Sequence, residues 1–191
     1  MKKVFIIHGF EGSPNGGWRP WLMAELEKQG VYACALPMPE PNNPLPEEWT
    51  QEIAHAVERS SSRDQIYLVG HSLGVPAILR YLETTTQKNI KGVILVSGPF
   101  FKTAKKRVDR FFKEPFDCVK ILSKVKRIAV IHGSDDRNVS VEQGKALAEA
   151  LGAKLIIIKN GGHLNGSSGC FKLPDCLKSL QEMMNLPTRP A

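Results

Sequence analysis

The stretch that decides the fold is Gln65-Ile66-Tyr67-Leu68-Val69-Gly70-His71-Ser72-Leu73-Gly74-Val75-Pro76-Ala77-Ile78-Leu79-Arg80-Tyr81-Leu82. Ile66 to Val69 is a short apolar run rich in β-formers, which predicts a strand buried on both faces. Gly70 to Gly74 then matches G-x-S-x-G, and Val75, Ile78, Leu79 and Leu82 recur at helical spacing. Strand, tight turn and helix are the context in which this motif presents a nucleophilic serine. The turn predicts strain at Ser72 and an exposed Oγ. Gly70 and Gly74 fit a strand and helix packed closely around it. The amino-terminal dipole of the helix favours the negative charge that develops in acyl transfer.

Working outward, five further runs read as strands: Val4–Ile7, Val31–Leu36, Gly92–Val96, Arg127–His132 and Lys154–Ile158. Helical patterns separate most of them. Trp18–Gln29 would bury Trp21, Leu22 and Leu26, and Glu47–Arg59 would bury Trp49, Ile53, Ala56 and Val57. Ser140–Leu151 would use Ser140 as N-cap, and a last helix covers roughly Leu173–Met184. Pro187–Ala191 reads as a frayed tail. Pro37 to Pro46 holds five prolines and predicts a stiff loop. This alternation predicts an α/β fold with three layers, α/β/α, around a six-stranded, mainly parallel sheet. Ligands in such sheets sit at the carboxyl ends of the strands.

The chain has 191 residues, which predicts a single domain, 1–191. Residues 99–126 are the least regular part. They mix Phe100, Phe101, Phe111, Phe112 and Phe116 with Lys102, Lys105, Lys106 and Arg107. A small cap-like insertion over the site and a helix with core-facing phenylalanines fit this segment equally. The net charge of +7 is mostly dispersed and accompanies no nucleic-acid motif, so neither nucleic acid nor membrane is expected as a partner. The glycine-rich run after the first strand lacks both nucleotide-binding spacings. Cys34, Cys118, Cys170 and Cys176 lack metal-ligand spacing and read as reduced thiols, although Cys170 and Cys176 could pair in an oxidising compartment. The amino-terminal apolar run stops at His8-Gly9, too short for a signal peptide. The expected location is cytoplasmic.

A serine hydroxyl needs a base in contact with it, and that base needs an orienting acid. Five histidines are available. His71 should point away from the serine, His8 and His132 end strands, and His55 is mid-helix. His163 follows the last strand in a Gly-Gly-His loop and is the expected base. The pattern His-Gly-x-x-Asp-x-x-Val places the acid at Asp136, with Asp135 as fallback or loop brace. The chain order Ser, Asp, His is that of α/β hydrolases. The oxyanion hole is expected from the backbone N–H groups of Leu73 and Phe10.

Several motifs recur in order: His-Gly-Phe, Asn-Gly-Gly-Trp-x-x-Trp-Leu, Leu-Pro-Met-Pro-x-Pro, Trp49, Gly-His-Ser-Leu-Gly-x-Pro-Ala-Ile-Leu-Arg-Tyr-Leu, Val-Ser-Gly-Pro-Phe, Ser-Asp-Asp-x-x-Val and Gly-Gly-His-Leu. Together they resemble the small serine hydrolases of the YdeN type, related to the retinoblastoma-binding protein nine group, from Val4 to about Leu180. The resemblance implies a compact α/β-hydrolase fold lacking the first two strands of larger members, with a triad at Ser72, Asp136 and His163. Ser140 departs from a proline common in that family, and Gly166-Ser167-Ser168-Gly169 reads as an unusually flexible loop. The expected activity is hydrolysis of a small carboxylic ester, or a related thioester or amide, through an acyl-enzyme. A small-molecule acyl substrate is the expected partner, with no metal and no organic cofactor. The phenylalanines of the cap-like segment favour modest apolar acyl groups. The alternative is a binding or scaffold protein that docks an unknown protein partner on that segment.

Overall fold

A computed structural model describes residues 1–103 and 106–187. Lys105, expected in the basic cluster, and all but Pro187 of the expected tail Pro187–Ala191 lie outside the described residues. Six strands form one sheet: β1 (Lys2–Ile7), β2 (Tyr32–Leu36), β3 (Gln65–His71), β4 (Ile90–Val96), β5 (Ile128–Gly133) and β6 (Lys154–Ile158). Their order is β2-β1-β3-β4-β5-β6, and every pairing is parallel.

The central strands read as continuous apolar runs because both faces are covered. Their side chains alternate between two cores. Phe5, Ile7, Ile66, Leu68, Val93, Leu95, Ile128 and Val130 point to one. Val4, Ile6, Tyr67, Val69, Ile94, Val96, Ala129 and Ile131 point to the other. The first core is closed by α2 (Pro46–Glu58), α3 (Gly74–Thr84), α4 (Cys118–Lys124) and α5 (Val141–Ala150). The second is closed by α1 (Arg19–Glu27) and α6 (Pro174–Met184). The three-layer α/β/α expectation holds.

At the start of α1 the N-cap residue Trp18, fully buried, seals the core beside Leu22 and Leu26, while Trp21 is only partly buried. Ser140 occupies the N-cap position of α5 but makes no side-chain cap hydrogen bond. Its φ of −61° is one that proline also adopts, so the departure from proline leaves the chain path unchanged. Residues 99–126 contain a 3-10 helix, Lys106–Phe112, followed by α4. Phe111 and Phe112 are buried in the first core, Phe100 and Phe116 pack against it, and Phe101 is exposed. All four cysteines are free. Among the described residues no helix is long and apolar enough to cross a membrane.

The chain leaves β1 toward β2 on one side and returns to β3 on the other. The crevice of such a sheet opens where the order reverses, outside the carboxyl ends of β1 and β3. The loops after β1 and β3 meet there.

Candidate active site

Ser72 follows β3 directly and has φ +54°, a left-handed value that is uncommon for a non-glycine residue. The turn that holds it there demands its two glycines. A Cβ on Gly70 would lie 2.8 Å from the Gly74 backbone, and a Cβ on Gly74 would collide with the Ile7 carbonyl at the end of β1. The loop after β1 presses in as well, since a Cβ on Gly9 would come within 2.7 Å of Ser72 Cβ. Strand, turn and helix therefore take the form the motif predicts.

Three loops from three strands converge. His163 Nε2 lies 3.0 Å from Ser72 Oγ, and His163 Nδ1 lies 2.8 Å from Asp136 Oδ2. Because the carboxylate can only accept, Nδ1 carries the proton and Nε2 accepts from the serine hydroxyl. Asp136 Oδ1 accepts the amides of Asn138 and Val139 at 2.9 and 3.0 Å. Burial raises the Asp136 pKa, but the hydrogen bond and charge of His163, with those two amides, outweigh it. The net shift is below the ordinary carboxylate value, so Asp136 stays ionised.

Asp135, the fallback acid, instead accepts the Gly162 amide at 2.9 Å and braces the loop that carries His163. Three more contacts hold this loop. Ser168 Oγ accepts the His163 amide at 3.1 Å, Trp18 Nε1 donates to the Leu164 carbonyl at 2.8 Å, and His71 Nε2 donates to the His163 carbonyl at 3.0 Å. The Gly166–Gly169 run is a 3-10 turn, Gly166–Ser168, capped by the Asn165 side chain. The loose loop expected from its composition gives way to a capped turn because Asn165 and Ser168 tie it down.

The other histidines serve as packing and bracing groups. Burial pushes the His71 pKa down to about 3, so its ring is neutral. His8 donates Nδ1–H to Gly9 O at 2.8 Å and accepts the Met38 amide at 3.4 Å, which fixes the loop after β1. His132 lies fully buried, donates to the Val139 carbonyl at 2.9 Å, and sits 3.5 Å from Asp136 Oδ2. His55 is exposed on α2.

Phe10 and Leu73 both line a cavity of about 460 Å³ that opens on Ser72 and His163. From residues 99–126 it is Pro99, Thr103 and Val108 that reach this cavity, and none of the five phenylalanines does. The basis for expecting apolar acyl groups is thereby removed: Phe100, Phe111, Phe112 and Phe116 pack on the core, and Phe101 is exposed. Sequence reading missed Arg19, Trp18 and His132 at the site. A Trp-Arg pair opening a helix after a glycine-rich loop gives no hint of which side chain turns inward.

The sequence model of the family described as serine hydrolase matches residues 4–182. YdeN of Bacillus subtilis (strain 168) is 38% identical over 191 residues, covering 98% of this chain and 99% of that protein. The serine hydrolase RBBP9 of Rattus norvegicus is 26% identical over 173 residues, covering 86% of this chain and 88% of its own. Among solved structures, that of the ydeN gene product superposes with a TM-score of 0.91 at 36% identity, covering 97% of this chain and 100% of that one. Est1E from Butyrivibrio proteoclasticus shares the fold, with a TM-score of 0.74 at 19% identity over 96% of this chain and 87% of its own.

Proposed function

The chain belongs to the serine hydrolase family, and from that premise we propose that it cleaves small carboxylic esters through a covalent acyl-enzyme on Ser72. The observation that carries this reading is the unbroken hydrogen-bonded series Ser72 Oγ, His163 Nε2, His163 Nδ1, Asp136 Oδ2. Ser72 Oγ attacks the carbonyl carbon as His163 Nε2 takes its proton. Asp136 holds the tautomer and stabilises the imidazolium without accepting the proton. The amides of Leu73 and Phe10 hold the oxyanion at the amino end of α3. The imidazolium then gives its proton to the departing alkoxide. Water attacks the acyl group by the same route, releasing the acid and restoring the serine.

A panel of p-nitrophenyl esters tests this. Turnover should appear for short acyl chains and fall by at least about 10³-fold in both Ser72→Ala and His163→Ala. Turnover that survives either substitution would refute the mechanism.

A further inference from the structure

Arg19 opens α1 and lines the same cavity as Ser72, yet it is only 5% exposed. Charged side chains are rarely buried this deeply without a counter-charge. Its Nε donates to the Ser13 carbonyl at 3.0 Å, and its guanidinium stands 5.9 Å from the Trp18 ring. Among the described residues its terminal nitrogens have no hydrogen-bond partner, and no carboxylate lies within ion-pair distance of it. Glu11, the one acidic residue on the cavity wall, is exposed and forms no ion pair with it. Gly16 makes room for the guanidinium, because a Cβ there would collide with Nη2.

The surroundings are cationic too. Lys102 and Lys106-Arg107 are exposed beside Thr103 and Val108, which line the cavity. The net charge is +7. Burial lowers the Arg19 pKa only to about 10, so the group keeps its charge at neutral pH. That charge also helps hold the buried His8 and His71 neutral.

We propose that the cavity takes a substrate bearing an oxyanionic group, carboxylate or phosphate, and that Arg19 is the specificity residue that binds it through its unpaired terminal nitrogens. A guanidinium fork matches either group with two parallel hydrogen bonds. The neighbouring lysines and the positive field of the chain steer such a substrate toward the site. Its cleavage rests on the acyl-hydrolase reading above; its binding does not.

The test compares kcat/KM for charged and neutral partners of equal size. On the acyl side, mono-p-nitrophenyl glutarate is set against its methyl ester, with p-nitrophenyl 4-phosphonobutanoate as the phosphate-like arm. On the alcohol side, the butyrate ester of glycolate is set against that of glycolamide. At least one charged member should exceed its neutral partner by about tenfold or more at low salt. The ratio should collapse toward one in Arg19→Met and be partly retained in Arg19→Lys. The arm with the largest ratio identifies the anion and its side of the ester bond. Ratios near one throughout in the wild type, or a preference that persists in Arg19→Met, would overturn the proposal. If no ester is turned over and Ser72 resists a fluorophosphonate, the hydrolase reading has failed. Calorimetry with glutarate and neutral glutaramide on Ser72→Ala protein then decides the binding claim. Saturable glutarate binding that is lost in the Ser72→Ala/Arg19→Met double variant supports it, and its absence in Ser72→Ala overturns it.

Discussion

Asp136 Oδ1 accepts two backbone amides, while Oδ2 faces two imidazoles. The two rings differ in kind. His163 uses Oδ2 as the partner of its Nδ1–H, whereas His132 gives its proton to the Val139 carbonyl and is kept neutral chiefly by burial. One carboxylate thus orients one imidazole and faces no second cation. Asp136→Asn should lower kcat by about 10³- to 10⁴-fold, because an amide can present a donor to Nδ1 and favour the wrong tautomer. Asp135→Asn keeps a carbonyl for the Gly162 amide, so steady-state turnover should stay within the same order of magnitude. Equal losses in both variants would contradict the assignment. At this scale the sequence was readable wherever chemistry and chain position coincide: Ser72 in its motif, Asp136 by its spacing from His132, His163 directly after two glycines. It was unreadable at Trp18, Arg19 and His132, whose meaning depends on distant partners. Trp18 is 146 positions from the Leu164 carbonyl it supports.

The irregular segment between β4 and β5 is fixed by side chains from the regular elements. Arg80 on α3 donates to the carbonyls of Phe111, Glu114 and Pro115, pairs with Glu83 at 2.9 Å, and lies 4.1 Å from the centroid of the Phe116 ring. Gln143 on α5 accepts the amides of Phe100 and Phe101 at 2.8 and 2.9 Å. Val108, on this same segment, lines the cavity, so these two residues shape one wall of the site from outside it. Arg80→Ala should cost on the order of 2–3 kcal/mol in urea unfolding, since several carbonyls lose a charged donor at once. Cleavage by trypsin near Arg110 and Lys113 should accelerate. A variant as stable and as protease-resistant as the parent would show that the segment is held by its phenylalanines alone. The regular elements were legible because each strand is a short apolar run and each helix keeps its period. The segment was not, because a single arginine with several backbone acceptors leaves no periodic trace.

Across the whole molecule, His8, His71 and His132 are buried and their pKa values lie below the ordinary 6.5, chiefly because burial penalises the charged ring. Between pH 6.5 and about 3 the unfolded chain binds a proton at position 71 that the native protein excludes. Stability is therefore fully present above pH 6.5 and declines as pH falls, by about 1.4 kcal/mol per pH unit for one such group. The urea midpoint should drop steeply between pH 7 and pH 5, and more gently in His71→Gln. An unchanged slope in that variant would mean that the ring is protonated in the native state. The architecture that buries these rings was the most legible feature of all, because a parallel sheet covered on both faces needs the uninterrupted apolar runs the chain carries.

Reaction with a fluorophosphonate, followed by peptide mass mapping, asks whether the hydroxyl at the end of β3 is nucleophilic at neutral pH. One adduct is expected, on the peptide containing Ser72, slowed strongly in His163→Ala and lost in Ser72→Ala. An adduct elsewhere, or a Ser72 adduct that forms equally fast without the imidazole, would mean that Ser72 is not activated by His163.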